Sequence, residues 1–446
     1  MFKDTSKNII EGNIVEQLLL FFFPVLFGYI FQQLYNTVDA IIVGKYVGKE
    51  ALAAVGGTTG TSISLIVNFI WGLTSGVSVI VAQYYGKRDV DGVHEAVKTG
   101  IFVGLGLGLI MTIVGIIFTP SLLNLLNVPE EILEMSISYM QIFLLGLVPF
   151  MVYNVGASVL RATGDSKRPL YFLILAAVVN TILDYIFVRY LKMSVFGAAV
   201  ATVIAQVVCC VLMLELLKRT DDCYQFSLKD FGYNKELLKK TIIIGIPSGI
   251  QSVVYSVSNL FIQASVNAFG TNTVAAYTAF GKIDGFYWNY DSAFGIACMT
   301  VVGQNYGARK LDRVKSTVKF SMLLELVGTI LISGICFFFA TPLIGLFTND
   351  LKVIEIGVKM MRLLSVTWPL FIPIEIISST CKACGSTMVP MIISAIGICG
   401  TRIAYLLIYP YKNVIEALYC YPISWFITSI IFVIYYFKGR WMKKAL

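Results

Sequence analysis

Long apolar runs separated by short polar segments dominate the pattern of this chain. A run of 18 or more mostly apolar residues can cross a lipid bilayer as a helix, so the pattern predicts twelve membrane-spanning helices. Their expected bounds are 15–43, 53–83, 93–118, 132–160, 169–190, 195–217, 241–268, 274–304, 315–340, 354–381, 388–410 and 414–437. Proline marks breaks between runs, for example at Thr119-Pro120 and Thr341-Pro342. No small-residue cleavage signature follows the first run, so we expect a retained helix rather than a signal peptide.

Composition narrows the class of protein. The chain is 57% hydrophobic and 13% charged, whereas a soluble domain is about 25% charged. This composition excludes a soluble enzyme, a nucleic-acid-binding module and a disordered protein. Most of the 34 Lys and Arg residues lie in the tails and inner loops when the N-terminus is placed in the cytoplasm. The positive-inside rule then predicts a multi-pass protein of the cell membrane with both termini cytoplasmic. It also accounts for the net charge of +8 without a nucleic-acid partner.

The second half of the chain repeats the first. The segment Gln83-Tyr-Tyr-Gly86 matches Gln304-Asn-Tyr-Gly307, and Pro169 matches Pro390, with the same offset of 221 residues. Each half holds six predicted helices, so an all-α polytopic membrane protein is expected, with two six-helix lobes related by a pseudo-two-fold axis along the membrane normal. The predicted parts are an N-terminal lobe (1–217), a cytoplasmic linker (218–240) and a C-terminal lobe (241–446). This layout is typical of a transporter; a scaffold or channel subunit is the alternative.

The first predicted helix carries polar residues at membrane depth. Gln32, Asn36 and Asp39 share one face through their i, i+4 and i+3 spacing. Pro24, earlier in the same helix, can kink it. A carboxylate in hydrocarbon is costly unless it is paired, wetted or protonated, and such groups are functional by default. We therefore take Asp39 as a candidate functional residue.

The fifth and sixth predicted helices add a second polar set. Asn180 and Asp184 lie one turn apart on one face, and Thr202 reaches a depth comparable to that of Asp184 at 1.5 Å per residue. These three residues and Asp39 are predicted to converge. Carboxylate, amide carbonyl and hydroxyl oxygens suit Na+, and a carboxyl group also binds H+, so both ions stay open. Alternatively, Asp39 and Asp184 only bond to helix-packing partners.

The C-terminal half does not copy this set. Its first predicted helix, 241–268, contains no carboxylate. The charged residues of its other helices include Lys282, Asp284, Asp291, Glu325, Glu375 and Arg402. Opposite charges in neighbouring helices favour mutual pairing, so we expect a mainly structural role, although Asp284 and Asp291 share a face that could touch a cationic substrate. One Cys381-x-x-Cys384 pair and a single histidine are too few ligands for a structural zinc site.

Together these features resemble the multidrug and toxic compound extrusion (MATE) family, over nearly the whole chain. The resemblance rests on the twelve helices in two halves, the paired Gln-x-Tyr-Gly segments, and further motifs. These are Pro24 with Asp39, Arg161-Ala-Thr-Gly164-Asp165, Asn180-x3-Asp184 and Gly197-Ala-Ala-x-Ala-Thr202. The resemblance implies a secondary active antiporter, not an enzyme, that exports organic cations or drugs in exchange for Na+ or H+. No resident cofactor is implied.

The resemblance also implies roles for individual residues. The coupling cation, Na+ included, would bind Asp39, Asn180, Asp184 and Thr202. The residues expected to line the substrate cavity or to assist are Gln32, Asn36, Pro24, Tyr255, Asn259, Asp284, Asp291 and Glu375. One branch of the family has a functional glutamate in the seventh helix. This sequence lacks that glutamate, which leaves a second cation site in the C-terminal lobe open.

Three alternative classes remain. A lipid or polysaccharide flippase of the same superfamily usually has more helices or a strongly cationic cavity, for which only Lys282, Arg362 and Arg402 are candidates. A major-facilitator transporter carries Asp-Arg-x-Gly-Arg-Arg after its second helix, where this chain reads Gly86-Lys-Arg-Asp-Val-Asp-Gly92. A membrane enzyme would need a nucleophile and a base, and no such constellation is apparent. We expect a monomer that acts on small molecules in the lipid bilayer.

Overall fold

The computed structural model describes residues 9–227, 229 and 231–443, which are nearly all helical. Nine helices in the described part are long and apolar enough to cross a bilayer, and two helix pairs bent by 45° and 42° add two spans. Thr271–Gly307 is a further long helix, whose Lys282, Asp284 and Asp291 make it less apolar. The twelve segments are α1 (Ile14–Tyr46), α2 (Lys49–Lys87), α3 (Val90–Leu125), α4 (Glu130–Leu145 and Leu147–Thr163), α5 (Lys167–Tyr190), α6 (Ser194–Arg219), α7 (Lys235–Asn267), α8 (Thr271–Gly307), α9 (Leu311–Phe338), α10 (Leu351–Leu370 and Ile372–Ala383), α11 (Met388–Ile408) and α12 (Val414–Phe437). The predicted all-α, twelve-helix architecture is confirmed.

One predicted break is wrong. Helix α3 continues through Thr119-Pro120 to Leu125. Proline has no N–H to donate to the carbonyl four residues earlier, here that of Ile116. The Gln141 amide of α4 donates to that carbonyl oxygen at 3.2 Å, so it replaces the missing hydrogen bond. The corresponding break in the second half is confirmed, since α9 ends at Phe338 and a short separate helix, Ala340–Gly345, contains Pro342.

Two compact units make up the fold, and neither coincides with one stretch of chain. Unit 1 contains Phe23–Ile246, and unit 2 contains Ile9–Phe22 together with Pro247–Leu446. Both divisions fall next to a helix-internal proline, Pro24 in α1 and Pro247 in α7. Each unit therefore includes the N-terminal part of a helix whose remainder belongs to the other unit.

In unit 2, the chain before Phe23 is tied to α8 and α9. Asn305 Nδ2 donates to the carbonyl oxygen of Ile9 at 3.3 Å. Arg313 Nη2 donates to the carbonyl oxygens of Ile9 and Gly12 at 3.1 and 2.8 Å. Further along, the ring of Phe22 stacks on that of Phe294 with centroids 4.1 Å apart. These contacts explain why the start of α1 belongs to unit 2.

In unit 1, the beginning of α7 packs backbone to backbone against α2. A Cβ atom on Gly76 would lie 2.6 Å from the carbonyl oxygen of Thr241 and 2.9 Å from the backbone nitrogen of Gly245. Only residues without a side chain permit this approach of two helices. The segment before α7 is also held, because the backbone N–H of Asn234 donates to the buried Thr99 hydroxyl at 3.0 Å.

Repeat-related helices α5 and α11 both depart from α geometry. Residues Tyr185–Tyr190 of α5 and Ala395–Gly400 of α11 form π-helical segments. Such segments are rare, and they often occur at functional sites. In α5 the segment begins directly after Asp184, and in α11 it ends two residues before Arg402.

Candidate functional site

Two buried carboxyl groups lie side by side in unit 1. Asp39 of α1 is 9% exposed and Asp184 of α5 is fully buried. The two groups are close enough to share a hydrogen bond when one of them is protonated. When both are ionised, Oδ1 of Asp39 and both oxygens of Asp184 lack a donor among the described residues. None of the ion pairs in the described chain involves either group.

Two neutral side chains complete this cluster. Asn180 lies one turn before Asp184 and is 2% exposed. Its Nδ2 donates to the hydroxyl of Thr202 at 3.4 Å, and that hydroxyl donates to the carbonyl oxygen of Ala198 at 3.1 Å. The Asn180 Oδ1 atom has no donor in the part of the chain that is described. The structure thus brings together the four residues that the sequence placed at one depth.

The cluster offers two carboxylates and two neutral oxygens, which suits a hard monovalent cation or a proton. A conventional metal site is a different arrangement. Among residues 9–227, 229 and 231–443, no group of three or more His, Cys, Asp or Glu side chains is placed to hold a metal ion. The Cys381 and Cys384 thiols are both free and buried, as expected of small apolar side chains.

Aromatic and aliphatic groups surround the carboxyl pair. Tyr139 of α4 and Tyr35 of α1 interact electrostatically with both Asp39 and Asp184. Sequence reasoning missed Tyr139, because a single tyrosine in an apolar run gives no sign of which neighbour it faces. Tyr139 also belongs to a buried hydrophobic cluster. Its other members are Ile42, Val43, Ala51, Val55, Val188, Val195, Ala198 and Ala199.

The other candidates on α1 are not all at this cluster. Gln32 is half-buried and hydrogen-bonded to Tyr35, which links it to the carboxyl pair. Asn36 is exposed on the surface of unit 1, although it shares a helix face with Asp39 in the sequence pattern. Pro24 precedes Asp39 by 15 residues, roughly 22 Å along the helix.

The accessory candidates of unit 2 lie in two places. In the first, Tyr255 donates to the Ser394 hydroxyl at 2.9 Å, and Asn259 Oδ1 accepts from Arg402 Nη1 at 3.1 Å. Asp284 accepts from the indole nitrogens of Trp288 and Trp368 at 2.7 and 3.2 Å. The hydrogen-bond partners of these three residues are thus neutral or cationic groups.

The second place is a buried group of three acids on α8, α9 and α10. Asp291 and Glu325 are carboxyl neighbours that can share a hydrogen bond only when one of them is protonated, and both interact electrostatically with Glu375. Glu375 accepts from the Ser379 hydroxyl at 3.0 Å. Asp291 therefore does not share the environment of Asp284, despite the common helix face.

The expected pairing of opposite charges in unit 2 is wrong. In the described residues, no ion pair joins Arg402 or Lys282 to Asp284, Asp291 or Glu325. The acids of α8 and α9 face each other, whereas Arg402 of α11 faces α7 and α12. Counting charges along helices does not reveal these facings, which is why the prediction failed.

Comparisons with known proteins bear on the whole chain. The MatE family model matches residues 24–186 and again 247–408, one match in each half. Probable multidrug resistance protein YoeA of Bacillus subtilis is 28% identical over 98% of this chain and 96% of its own length. An FAD transporter of Shewanella oneidensis is 26% identical over 78% of this chain and 77% of its own. A solved outward-facing multidrug resistance MATE family transporter of the MOP superfamily superposes with a TM-score of 0.92 at 24% identity, and each chain covers the other completely.

Proposed function

We propose that this chain, which belongs to the MatE family of multidrug and toxic compound extrusion transporters, exports organic cations and drugs in exchange for Na+ or H+. Members of this family are membrane transporters rather than enzymes. The family match over both halves does not favour a major-facilitator transporter or a flippase of the same superfamily. Names of relatives support small-molecule export, since one is called a multidrug resistance protein and another an FAD transporter.

One observation carries the coupling proposal: Asp39 and Asp184 form a buried pair, and three of their carboxyl oxygens accept no hydrogen bond from a described residue. Two carboxylates without a cationic partner are costly in a low-dielectric environment. A Na+ ion or a proton at this position removes that cost. The Asn180 carbonyl and Thr202 hydroxyl oxygens supply further ligands for Na+. The cluster therefore has a stronger affinity for a cation than a surface carboxylate would have.

The mechanism that we propose is alternating access. A cation enters from outside, binds Asp39 and Asp184, and draws α1 towards α5. That shift lowers the affinity for the drug, which leaves outward. The transporter then returns inward with its bound cation and releases it into the cytoplasm. Pro24 directly follows the point where α1 passes from unit 2 to unit 1, and a helix-internal proline eases bending there. The membrane potential contributes about 2.3 kcal/mol per charge per 100 mV to cation entry.

The setting in the cell is part of the same proposal. The chain is a multi-pass membrane protein. The distribution of Lys and Arg residues supports a position in the plasma membrane with both termini in the cytoplasm. We propose a monomer as the working unit.

Efflux of ethidium from proteoliposomes tests the proposal, with Na+ and pH gradients imposed separately. We expect one gradient to drive efflux and Asp39→Asn and Asp184→Asn to abolish the drive. Asp91→Asn is the matched control, because Asp91 is an exposed aspartate at the start of α3.

Efflux that ignores both gradients, or that keeps full rate and coupling in Asp39→Asn, contradicts the coupling role of this cluster. Thermal unfolding of each purified variant separates loss of coupling from loss of fold. A variant that unfolds like the wild type but no longer responds to the gradient supports the proposal.

A further inference from the structure

Arg402 is a buried cation in a membrane-spanning helix. Its side chain is only 4% exposed. Nε donates to the Ser424 hydroxyl at 3.1 Å, and Nη1 donates to Ser258 Oγ at 3.3 Å and Asn259 Oδ1 at 3.1 Å. Its guanidinium carbon lies 4.3 Å from the ring centroid of Tyr421. Among the described residues, Nε and Nη1 of Arg402 thus have neutral oxygens as acceptors, and an aromatic ring lies against the guanidinium.

The internal repeat places Arg402 where unit 1 has its cation cluster. Arg402 follows Pro390 by 12 residues, as Asn180 follows the matching Pro169 by 11. Ser424, which Arg402 contacts, lies 222 residues after Thr202, which Asn180 contacts. The matching position in unit 1 is the uncharged Asn180, which lies beside the carboxylates Asp39 and Asp184, whereas unit 2 holds a guanidinium at this position.

The positive charge of Arg402 has no counter-charge in direct contact. No ion pair within the described chain includes it. Asp284 interacts with it only over a longer distance, and both Asp284 oxygens already accept indole N–H groups. The Nη2 atom makes no hydrogen bond to a described residue, yet it is not among the fully enclosed polar atoms. A buried guanidinium with free N–H groups is suited to bind a carboxylate or phosphate.

Aromatic side chains adjoin this guanidinium. Trp425 lies against Tyr421 and against the half-buried Trp288, with ring centroids 5.3 and 5.9 Å apart. The half-buried Tyr277 shares a hydrogen bond with Tyr421. A flat ring system attached to the anionic group would find stacking partners among them.

We propose that Arg402 forms an anion-binding site in unit 2 for flat aromatic compounds that carry a carboxylate or phosphate group. This site rests on the proposed export function and assigns to Arg402 the binding of the anionic group of such compounds. Ser258, Asn259 and Ser424 orient the guanidinium so that Nη2 receives the anionic oxygen.

Equilibrium dialysis with a matched pair of probes tests the site. Riboflavin 5′-phosphate and riboflavin share one ring system and differ in the phosphate. The full-length protein is reconstituted in nanodiscs of phosphatidylcholine alone. We expect the wild type to bind the phosphate form about tenfold more tightly, as a charge-assisted hydrogen bond allows. Equal affinity of the two probes for the wild type overturns the proposal without any variant.

Variants assign the preference to Arg402. Arg402→Gln is expected to bind both probes equally, and Arg402→Lys to keep part of the preference, because lysine retains the charge but not the fork of donors. Arg362→Gln is the matched control, since Arg362 is exposed on α10 and bonds to the Phe337 carbonyl oxygen. An unchanged preference in Arg402→Gln overturns the site.

Two further measurements distinguish a soluble anion from a lipid headgroup, and the anion site from the export function. If phosphatidylglycerol in the nanodisc displaces riboflavin 5′-phosphate, the site is a lipid-headgroup site and the proposal is overturned. Gradient-driven ethidium efflux measured on the same preparation reports on the export function independently. If the wild type shows no preference between the two probes but its ethidium efflux is intact, the anion site alone is rejected.

Discussion

The Asn180 amide and the Thr202 hydroxyl meet at 3.4 Å and join α5 to α6 directly beside the buried carboxyl pair. Thr202 donates its own proton to the Ala198 carbonyl oxygen, so towards any other partner the hydroxyl oxygen can only accept. In the cation site that we propose, the hydroxyl would therefore serve as an oxygen ligand rather than as a donor to Asp39 or Asp184. This assignment makes the size of its contribution depend on which cation is bound.

Thr202→Val removes that ligand with little change of shape. If Na+ drives efflux, we expect its apparent affinity to fall about tenfold, which corresponds to about 1.4 kcal/mol, because Na+ needs several oxygen ligands. If H+ drives efflux, we expect little change, because a proton binds a carboxyl group alone. The measurement is the ion dependence of ethidium efflux.

Thr202→Ser is the control for this position, because it keeps the hydroxyl and should retain wild-type ion dependence. A Thr202→Val protein with full affinity for a driving Na+ gradient would exclude the hydroxyl as a ligand. It would leave the carboxyl pair as the whole site.

The contact between Gln141 and the Ile116 carbonyl predicts a coupled pair of substitutions. Gln141→Met should lower the free energy of unfolding by about 1–3 kcal/mol, because the carbonyl left free by Pro120 then has no partner. In a Pro120→Ala background, the new backbone N–H serves that carbonyl, so Gln141→Met should cost less. A double-mutant cycle by thermal unfolding in detergent measures the coupling. Purely additive effects would show that Gln141 does not compensate for the proline.

Much of the fold follows from hydropathy alone. The expected span 388–410 is α11, Met388–Ile408, almost residue for residue. The expected span 53–83 is too short, because α2 continues through polar residues to Lys87 beyond the apolar run. The hydropathy pattern does not show that α3 continues through Pro120, nor that α1 is divided between the two units at Phe23. Both features depend on which neighbouring side chains supply contacts.

The candidate site, like the fold, was predictable from the sequence only in part. Asn180 and Asp184 were predictable as a pair because the helix period places them together. Tyr139 was not, because its approach to the carboxyl pair depends on the rotation of α4. The same cause explains Asp291 and Glu325, which face each other across α8 and α9 instead of pairing with a cation. The sequence shows which residues share a face of one helix, but it does not show which neighbouring helix that face contacts.

Glu325→Gln is predicted to stabilise unit 2. Glu325 is fully buried beside Asp291, and the Asp291 Oδ1 atom has no donor in the described chain. A glutamine amide donates a hydrogen bond to that oxygen and removes one of two adjacent carboxyl groups. We expect the free energy of unfolding to rise by about 1.5–3 kcal/mol, the range for a hydrogen bond to a charged group. Thermal unfolding of purified protein measures it.

Glu355→Gln is the matched control for that substitution. Glu355 is exposed on α10 and pairs with Lys359 at 2.7 Å, so its replacement should leave the melting temperature close to that of the wild type, because solvent screens such a pair. A lower melting temperature for Glu325→Gln would mean that the carboxyl group at Glu325 is itself required for packing.

The approach of α2 to α7 at Gly76 gives the last prediction. In Gly76→Ala the new methyl group meets backbone atoms of Thr241 and Gly245, which cannot rotate away as a side chain can. We expect a loss of about 1–3 kcal/mol from overpacking. Gly106→Ala in α3 is the control within unit 1, because a Cβ there meets no atom within 4 Å. That control should gain up to about 1 kcal/mol from helix propensity. Equal melting temperatures for the two variants would show that α7 can move away from α2 at little cost. The close backbone contact at Gly76 would then not be what holds the start of α7 in unit 1.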